Sequence, residues 1–314
     1  MSNITMKRLV AVIYVLVAGC MWGCMGVLVR MMGKINLTSM EIVFLRSAVT
    51  LIAMIIFLPL KGRGCFYVKI KDLWCFVGTG AFSIAFFNYC YFKTIAYTSL
   101  SVAAILLYTS PVFILMMSAI LFKERITINK VIAVVFAMVG CAFVIGLVGG
   151  ESSLSPMGIL CGIGAGFGYA LYSVFGRYAL NKGYSSLTIT LYTFVFSTIS
   201  TFFMTSFVEI ITKMESVSSI LIGTYMDGCV GCDKTALMLA VVVLLILWVT
   251  MFPYLLYTKG LSLLDNGTAS VVAAVEPVVA TLIGIIIYKE EINLYIFVGI
   301  GLVLASIIMI NRKE

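Results

Sequence analysis

The feature that most constrains this chain is its succession of apolar runs, each roughly 20 residues long and separated by short breaks. A hydrocarbon core about 30 Å thick needs a helix of that length, and a segment inside it must satisfy its backbone N–H and C=O groups internally. The runs are therefore read as membrane-spanning helices, at residues 9 to 29, 41 to 60, 72 to 92, 97 to 121, 128 to 148, 156 to 176, 187 to 208, 235 to 257, 267 to 288 and 292 to 310. The expected fold class is an all-α membrane protein with ten transmembrane helices. Only 11% of the residues are charged, against about a quarter in an ordinary globular domain, which leaves little sequence for a soluble unit. Ser155 followed by Pro156 reads as a helix start, with a capping side chain and then proline at the first helical position.

The formal net charge of +8 does not point to nucleic acid, because Lys and Arg fall in the breaks and build no basic face. They report orientation instead. With the N-terminus inside, one side holds fourteen of them, from Lys7 and Arg8 through Lys123, Lys130 and Arg177 to Lys313, and the other holds Arg30, Lys34, Lys93, Lys213, Lys234 and Lys289. That bias places both termini in the cytoplasm, and the plasma membrane of a bacterium is the expected location. VAGC, ending at Cys20, resembles a lipoprotein signal, but the apolar run continues through Trp22 to Val29, so it is read as the first span.

There is no histidine, which removes imidazole metal sites and Ser-His catalysis; no catalytic residue, metal or cofactor is expected. The nine cysteines lie mostly in apolar segments, and Cys229 with Cys232 lacks further ligands nearby, so an accidental pair or a local disulfide is the reading. No GxxxxGK[ST] loop is present, which argues against direct ATP drive within this chain.

The chain also repeats itself. At an offset of 277 − 111 = 166, Tyr91, Lys93, Ala103, Pro111, Lys123 and Glu124 fall on Tyr257, Lys259, Ala269, Pro277, Lys289 and Glu290. Earlier helices align at 177 − 30 = 147, which pairs Arg30 with Arg177; the long connector from Glu209 to Lys234 accounts for most of the difference. The seam lies in GGESSLS, giving repeats at 1–150 and 151–314. Each holds five spans, an odd number, so the second is expected to cross the membrane inverted relative to the first. In such folds the substrate site lies near the midplane, and matching Gly- or Pro-interrupted segments mark it. SPVF at Ser110 to Phe113 and EPVV at Glu276 to Val279 are the matching pair. Each proline lacks an N–H and crowds the carbonyl four residues earlier, leaving a polar backbone group that needs protein or water around it.

Several of these residues also resemble a known family. WG at Trp22 and Gly23, FLR at Phe44 to Arg46, FKER at Phe122 to Arg125, and EP at Glu276 and Pro277 followed by YKEE at Tyr288 to Glu291 are similar to EamA-type transporters of the drug/metabolite transporter superfamily. The resemblance covers nearly the whole chain and rests on order and spacing. It implies two inverted five-helix repeats, a central cavity, and export or import of small metabolites such as amino acids. The long connector departs from the commonest pattern, and its role is left open.

Glu276 is the sharpest site candidate. A charge at the bilayer centre costs about 3 kcal/mol on insertion scales, so its carboxyl should face a wet cavity, either exchanging protons during transport or holding the opened backbone. Arg46, which resembles the family arginine, is assigned a structural or gating role before direct solute contact. Trp22, Asn88, Tyr91, Tyr108, Tyr169, Tyr172, Trp248 and Tyr254 are candidate lining residues; the plainer reading is helix packing or an interfacial belt for each aromatic, and interhelical hydrogen bonding for Asn88. Glycines at Gly158, Gly162, Gly164, Gly166 and Gly168, with Gly19 and Gly23 in the first span, are spaced for close helix approach.

Together these features predict a secondary transporter of a small-molecule solute, an exporter or exchanger working by alternating access around a midmembrane site, with proton coupling open and a monomer or weak homodimer as the assembly. A membrane-embedded enzyme acting on lipid or lipid-linked substrates is the rival; it would require paired carboxylates or metal ligands near the interface. A channel would require a ring of like groups along a pore.

Overall fold

The structure, a computed structural model, describes residues 3–61, 63–98, 100–144, 155–215, 234–289 and 294–311. Every regular element among them is helical. In chain order the helices are α1 (Met6–Gly33), α2 (Ser39–Phe57), α3 (Ile70–Tyr97), α4 (Val102–Phe122), α5 (Ile128–Val144), α6 (Pro156–Asn181), α7 (Ser186–Phe202), α8 (Phe207–Glu215), α9 (Leu237–Leu261), α10 (Asn266–Tyr288) and α11 (Leu294–Ile310). Seven of them, α1 to α4, α6, α9 and α10, are long and apolar enough to cross a membrane. Helices α5, α7 and α11 are shorter but equally apolar; at 17 residues, α5 and α7 meet the lower limit of about 17 for a span.

Local chemistry sets the ends. Thr38 and Glu41 form a reciprocal capping box at the start of α2, and Ser185 and Asp265 cap α7 and α10 through the backbone N–H groups of Thr188 and Thr268. Helix α6 does begin at Pro156, but the Ser155 side chain makes no capping bond. Two expected boundaries move. Helix α3 continues to Tyr97, where the fourth span was expected to begin, and α7 stops at Phe202, after which α8 forms a separate amphipathic helix within the connector. Uniformly apolar sequence carries no marker of where one helix yields to the next. Cys229, Cys232, Glu290, Glu291 and most of the GGESSLS seam lie outside the described residues.

Five helices are interrupted: α1 at Cys24, and four others in two matching pairs. Helix α4 breaks between Leu107 and Ser110, and α10 between Ala273 and Glu276, so that Pro111 and Pro277 stand in the first turn of a new half-helix, where a missing N–H costs least. Both half-helices end on a left-handed lysine, Lys123 at φ 56° and Lys289 at φ 55°. Helices α3 and α9 each contain a π-helical stretch, Gly78–Ala85 and Leu247–Met251, which overlap when shifted by the repeat offset.

The packing follows the same correspondence. Helix α3 lies along α6 as α1 lies along α9, while α2 packs on α7, α4 on α10 and α5 on α11. Glycines allow the broken helices to be approached closely. A Cβ at Gly166 of α6 would stand 2.5 Å from Thr109 Oγ1 and 2.8 Å from the Leu106 carbonyl oxygen in the α4 break. A Cβ at Gly19 of α1 would stand 3.1 Å from the Ala273 carbonyl oxygen, which Pro277 deprives of its helical partner. Gly19 and Gly166 are themselves related by the 147-residue offset. The small residues therefore cover the backbone that the prolines open.

Gly166→Leu is expected to destabilise the folded protein by about 1–3 kcal/mol through overpacking, whereas Gly26→Leu, where nothing lies within 4 Å, should be near neutral. Paired thermal unfolding of the two variants in detergent checks the difference.

Candidate functional site

The broken end of α10 gathers the polar groups of the bundle interior. Glu276 is the first residue of the second half-helix, and Tyr169 of α6 donates to its Oε2 at 3.5 Å. Arg46 of α2, Tyr91 of α3, Tyr108 of α4 and Tyr254 of α9 lie within its electrostatic reach. Arg46 is held by donation from Nε to Thr250 Oγ1 at 3.1 Å, and Thr250 belongs to the π-helical stretch of α9. Glu276, Arg46, Tyr91, Tyr108, Tyr169 and Tyr254 come from six helices, and all are half-buried. They are neither sealed in the core nor fully exposed.

Behind this cluster is a layer whose polar groups are already occupied. Tyr172 is 5% exposed and shares a 2.7 Å hydrogen bond with Thr258, whose hydroxyl also donates to the Tyr254 carbonyl at 2.7 Å. Ser173 and Tyr257 hydroxyls are 2.8 Å apart. Trp22 is buried with its ring 5.2 Å from that of Tyr254 and 5.4 Å from that of Tyr257. Asn88, also buried, donates Nδ2 to the Ile84 carbonyl at 2.8 Å, within the stretch where α3 leaves α-helical pairing. The polar groups of Asn88 and Tyr172 are thus already bonded, and Trp22 packs on two tyrosine rings.

Against the family models of known sequences, the chain matches the EamA-like transporter family twice, over residues 9–146 and 156–312. The chain belongs to the EamA-like transporter family. Two proteins of Archaeoglobus fulgidus, each named an uncharacterized transporter, are similar to it. One is 29% identical over 88% of this chain and 90% of its own length, the other 27% identical over 73% and 75%. A crystal structure of a protein with 15% sequence identity shares the fold over 96% of both chains with a TM-score of 0.73. This is therefore an integral membrane transporter.

Within this EamA-like transporter, Trp248 needs correcting as a lining residue. It is 51% exposed, on one helical stripe with Leu244 and Phe252, which are 65% and 44% exposed. A stripe of large apolar groups on the outside of an apolar helix faces lipid, and the ring belongs to that surface. Pro111 and Pro277 do mark the two breaks. Arg46 makes its contact with Thr250, and Glu41, in the same helix, pairs with Lys213 of α8 at 2.9 Å instead.

Sequence reasoning missed a polar cluster at the end of the bundle where α4 finishes and α10 begins. Arg177 of α6 donates Nε to Asn266 Oδ1 at 2.9 Å and also donates to the Leu264 carbonyl. Asn266 donates its side-chain amide to Ser118 of α4 at 2.9 Å and its backbone N–H to Glu124 at 3.1 Å. Lys130 of α5 pairs with Asp265 at 3.0 Å. The alignment of Arg177 with Arg30 was the one available signal, because nothing in an apolar sequence indicates which loop an arginine will reach.

Burial works to raise the Asp265 carboxyl, but hydrogen bonds from Thr268 and Lys130 outweigh it and hold the group below its ordinary value. A depressed folded-state pKa means stabilisation that is present above the unfolded value of about 3.9 and is lost as pH falls through the folded value. Asp265→Asn should therefore lower the apparent melting temperature at neutral pH and narrow its gap from the native protein as the pH is taken below about 4, read by thermal unfolding across a pH series.

Proposed function

We propose that this transporter is a secondary carrier that moves small polar metabolites, with amino acids as the class, by alternating access around a midmembrane site at Glu276. Ten spans arranged as two inverted five-helix repeats, with both termini in the cytoplasm, form its frame. The two family matches, the paired helix breaks and the self-mapping packing support that arrangement, and the lysine and arginine bias supports the orientation.

The observation that carries the reading is the convergence of one carboxylate and one guanidinium, Glu276 and Arg46, with four tyrosines on half-buried surface beside the α10 break. A solute with an ammonium and a carboxylate finds a partner for each, and the rings supply apolar surface with hydroxyls to orient it. Tyr91, Tyr108, Tyr169 and Tyr254 then line the site, with Trp22, Asn88 and Tyr172 fixing them from behind. Glu276 is also the group placed to take up a proton when the solute leaves, which would couple transport to a proton gradient.

Counterflow in proteoliposomes tests this. Preloaded amino acid should drive saturable uptake of labelled amino acid, and Glu276→Gln should reduce that flux at least about tenfold, the loss of roughly 1.4 kcal/mol of favourable interaction, and flatten its pH dependence. Full flux with an unchanged pH profile in Glu276→Gln would remove Glu276 from the mechanism, and conversion of lipid in place of solute flux would replace the carrier with an enzyme.

A further inference from the structure

Arg177 and Asn266 belong to neither the site nor the lipid-facing surface, and together they make four hydrogen bonds between helix ends. Their bonds bring together four helices: α6 through Arg177, α10 through Asn266 and the Leu264 carbonyl just before it, α4 through Ser118 and Glu124, and α5 through the Lys130 pair with Asp265. Arg177 is half-buried and Asn266 fully buried. Directly outside this cluster lies a recess of about 380 Å³ bordered by Phe122, Glu124, Arg177, Asn181, Leu264 and Asp265. The space is open to the surface and its lining is mostly polar.

Two observations indicate a closure that can open. Beside apolar contacts such as Phe122 on Tyr178, the helix ends are joined by hydrogen bonds and one ion pair, and water can replace each of these polar contacts when the ends part. Among the described residues, the second carboxylate oxygen of Glu124 is buried without a hydrogen-bond partner, which penalises the closed arrangement. The repeat supplies the counterpart: Arg30, the mate of Arg177, stacks on Tyr288, the mate of Phe122, with its guanidinium carbon 4.0 Å from the ring centroid. An arginine thus meets the end of a broken helix at both ends of the bundle.

The geometry points to Arg177 and Asn266 as the latch of the cytoplasmic gate, shut in this conformation, with the 380 Å³ recess as its cytoplasmic vestibule. This rests on the alternating-access reading above. Opening requires the guanidinium to leave the Asn266 amide and the Leu264 carbonyl, so that the α9–α10 turn separates from the ends of α4 and α6. In a carrier, the gate at one end opens as the other closes.

Reciprocal motion is the readout that a merely structural role would not move. Spin labels at Leu121 and Leu263 report the latched end, and labels at their repeat mates Ile287 and Tyr97 report the other; all four residues are exposed in the structure. Pulsed electron–electron distances are measured in lipid nanodiscs without solute, for the native latch, Arg177→Gln and the milder Asn266→Ala. Both variants should add a longer-distance population at Leu121–Leu263 and a shorter one at Tyr97–Ile287, and Arg177→Lys should lie between them and the native latch. Unchanged distances overturn the proposal, and so does lengthening at the latched end alone, which is local fraying. The solute-free result is independent of counterflow: a reciprocal shift without amino acid flux sustains the latch and rejects the solute assignment, and flux without the shift does the reverse.

Discussion

The fold depends on where the backbone groups freed by two prolines go. In hydrocarbon a carbonyl without a partner is costly, so a broken helix survives only with protein or water against the break. Here the protein side is supplied by α6 at the α4 break and by α1 at the α10 break, through Gly166 and Gly19, whose missing Cβ atoms let backbone approach backbone. The other side of the α10 break is taken by Glu276, Arg46 and the tyrosines. Close glycine packing on one flank and a half-buried polar cluster on the other are two consequences of one local defect.

The same defect explains why the site is assembled from so many helices. A half-helix start exposes N–H groups that favour an anionic or hydrogen-bonding neighbour, and Glu276 stands in that first turn. The π-helical stretches of α3 and α9 shift the register of their helices beside the break; one brings Thr250 to Arg46, and the other sets Asn88 on its own backbone. The proposed site is thus made of irregular backbone, held by regular helices around it.

The sequence made some of this legible and concealed the rest for physical reasons. Proline, glycine and a carboxylate inside apolar runs are exceptions to the rule of the membrane interior, so Pro111, Pro277 and Glu276 could be singled out without coordinates. Helix rotation could not. A helix that is apolar all round has no moment to orient it, so Trp248 on the outer stripe and Tyr172 in the hydrogen-bonded layer looked alike as sequence. Helix α8 was hidden for a different reason: its amphipathic nine residues read as polar connector, although Ile210 is buried and Lys213 reaches Glu41. The Arg177 cluster joins residues from four separate segments, whose meeting depends on the packing.

The central claim is that water, not lipid, reaches the side of α10 that carries Glu276. The direct measurement is mixed-disulfide formation at single cysteines, in an otherwise cysteine-free chain in liposomes, with a charged thiosulfonate reagent that reacts with thiolates in water and releases sulfinate. The account predicts modification at Glu276→Cys and none at Leu282→Cys, which replaces a residue 41% exposed on the same helix. A thiol at position 276 that is inert to this reagent and, like one at 282, reacts only with a membrane-soluble maleimide would contradict it.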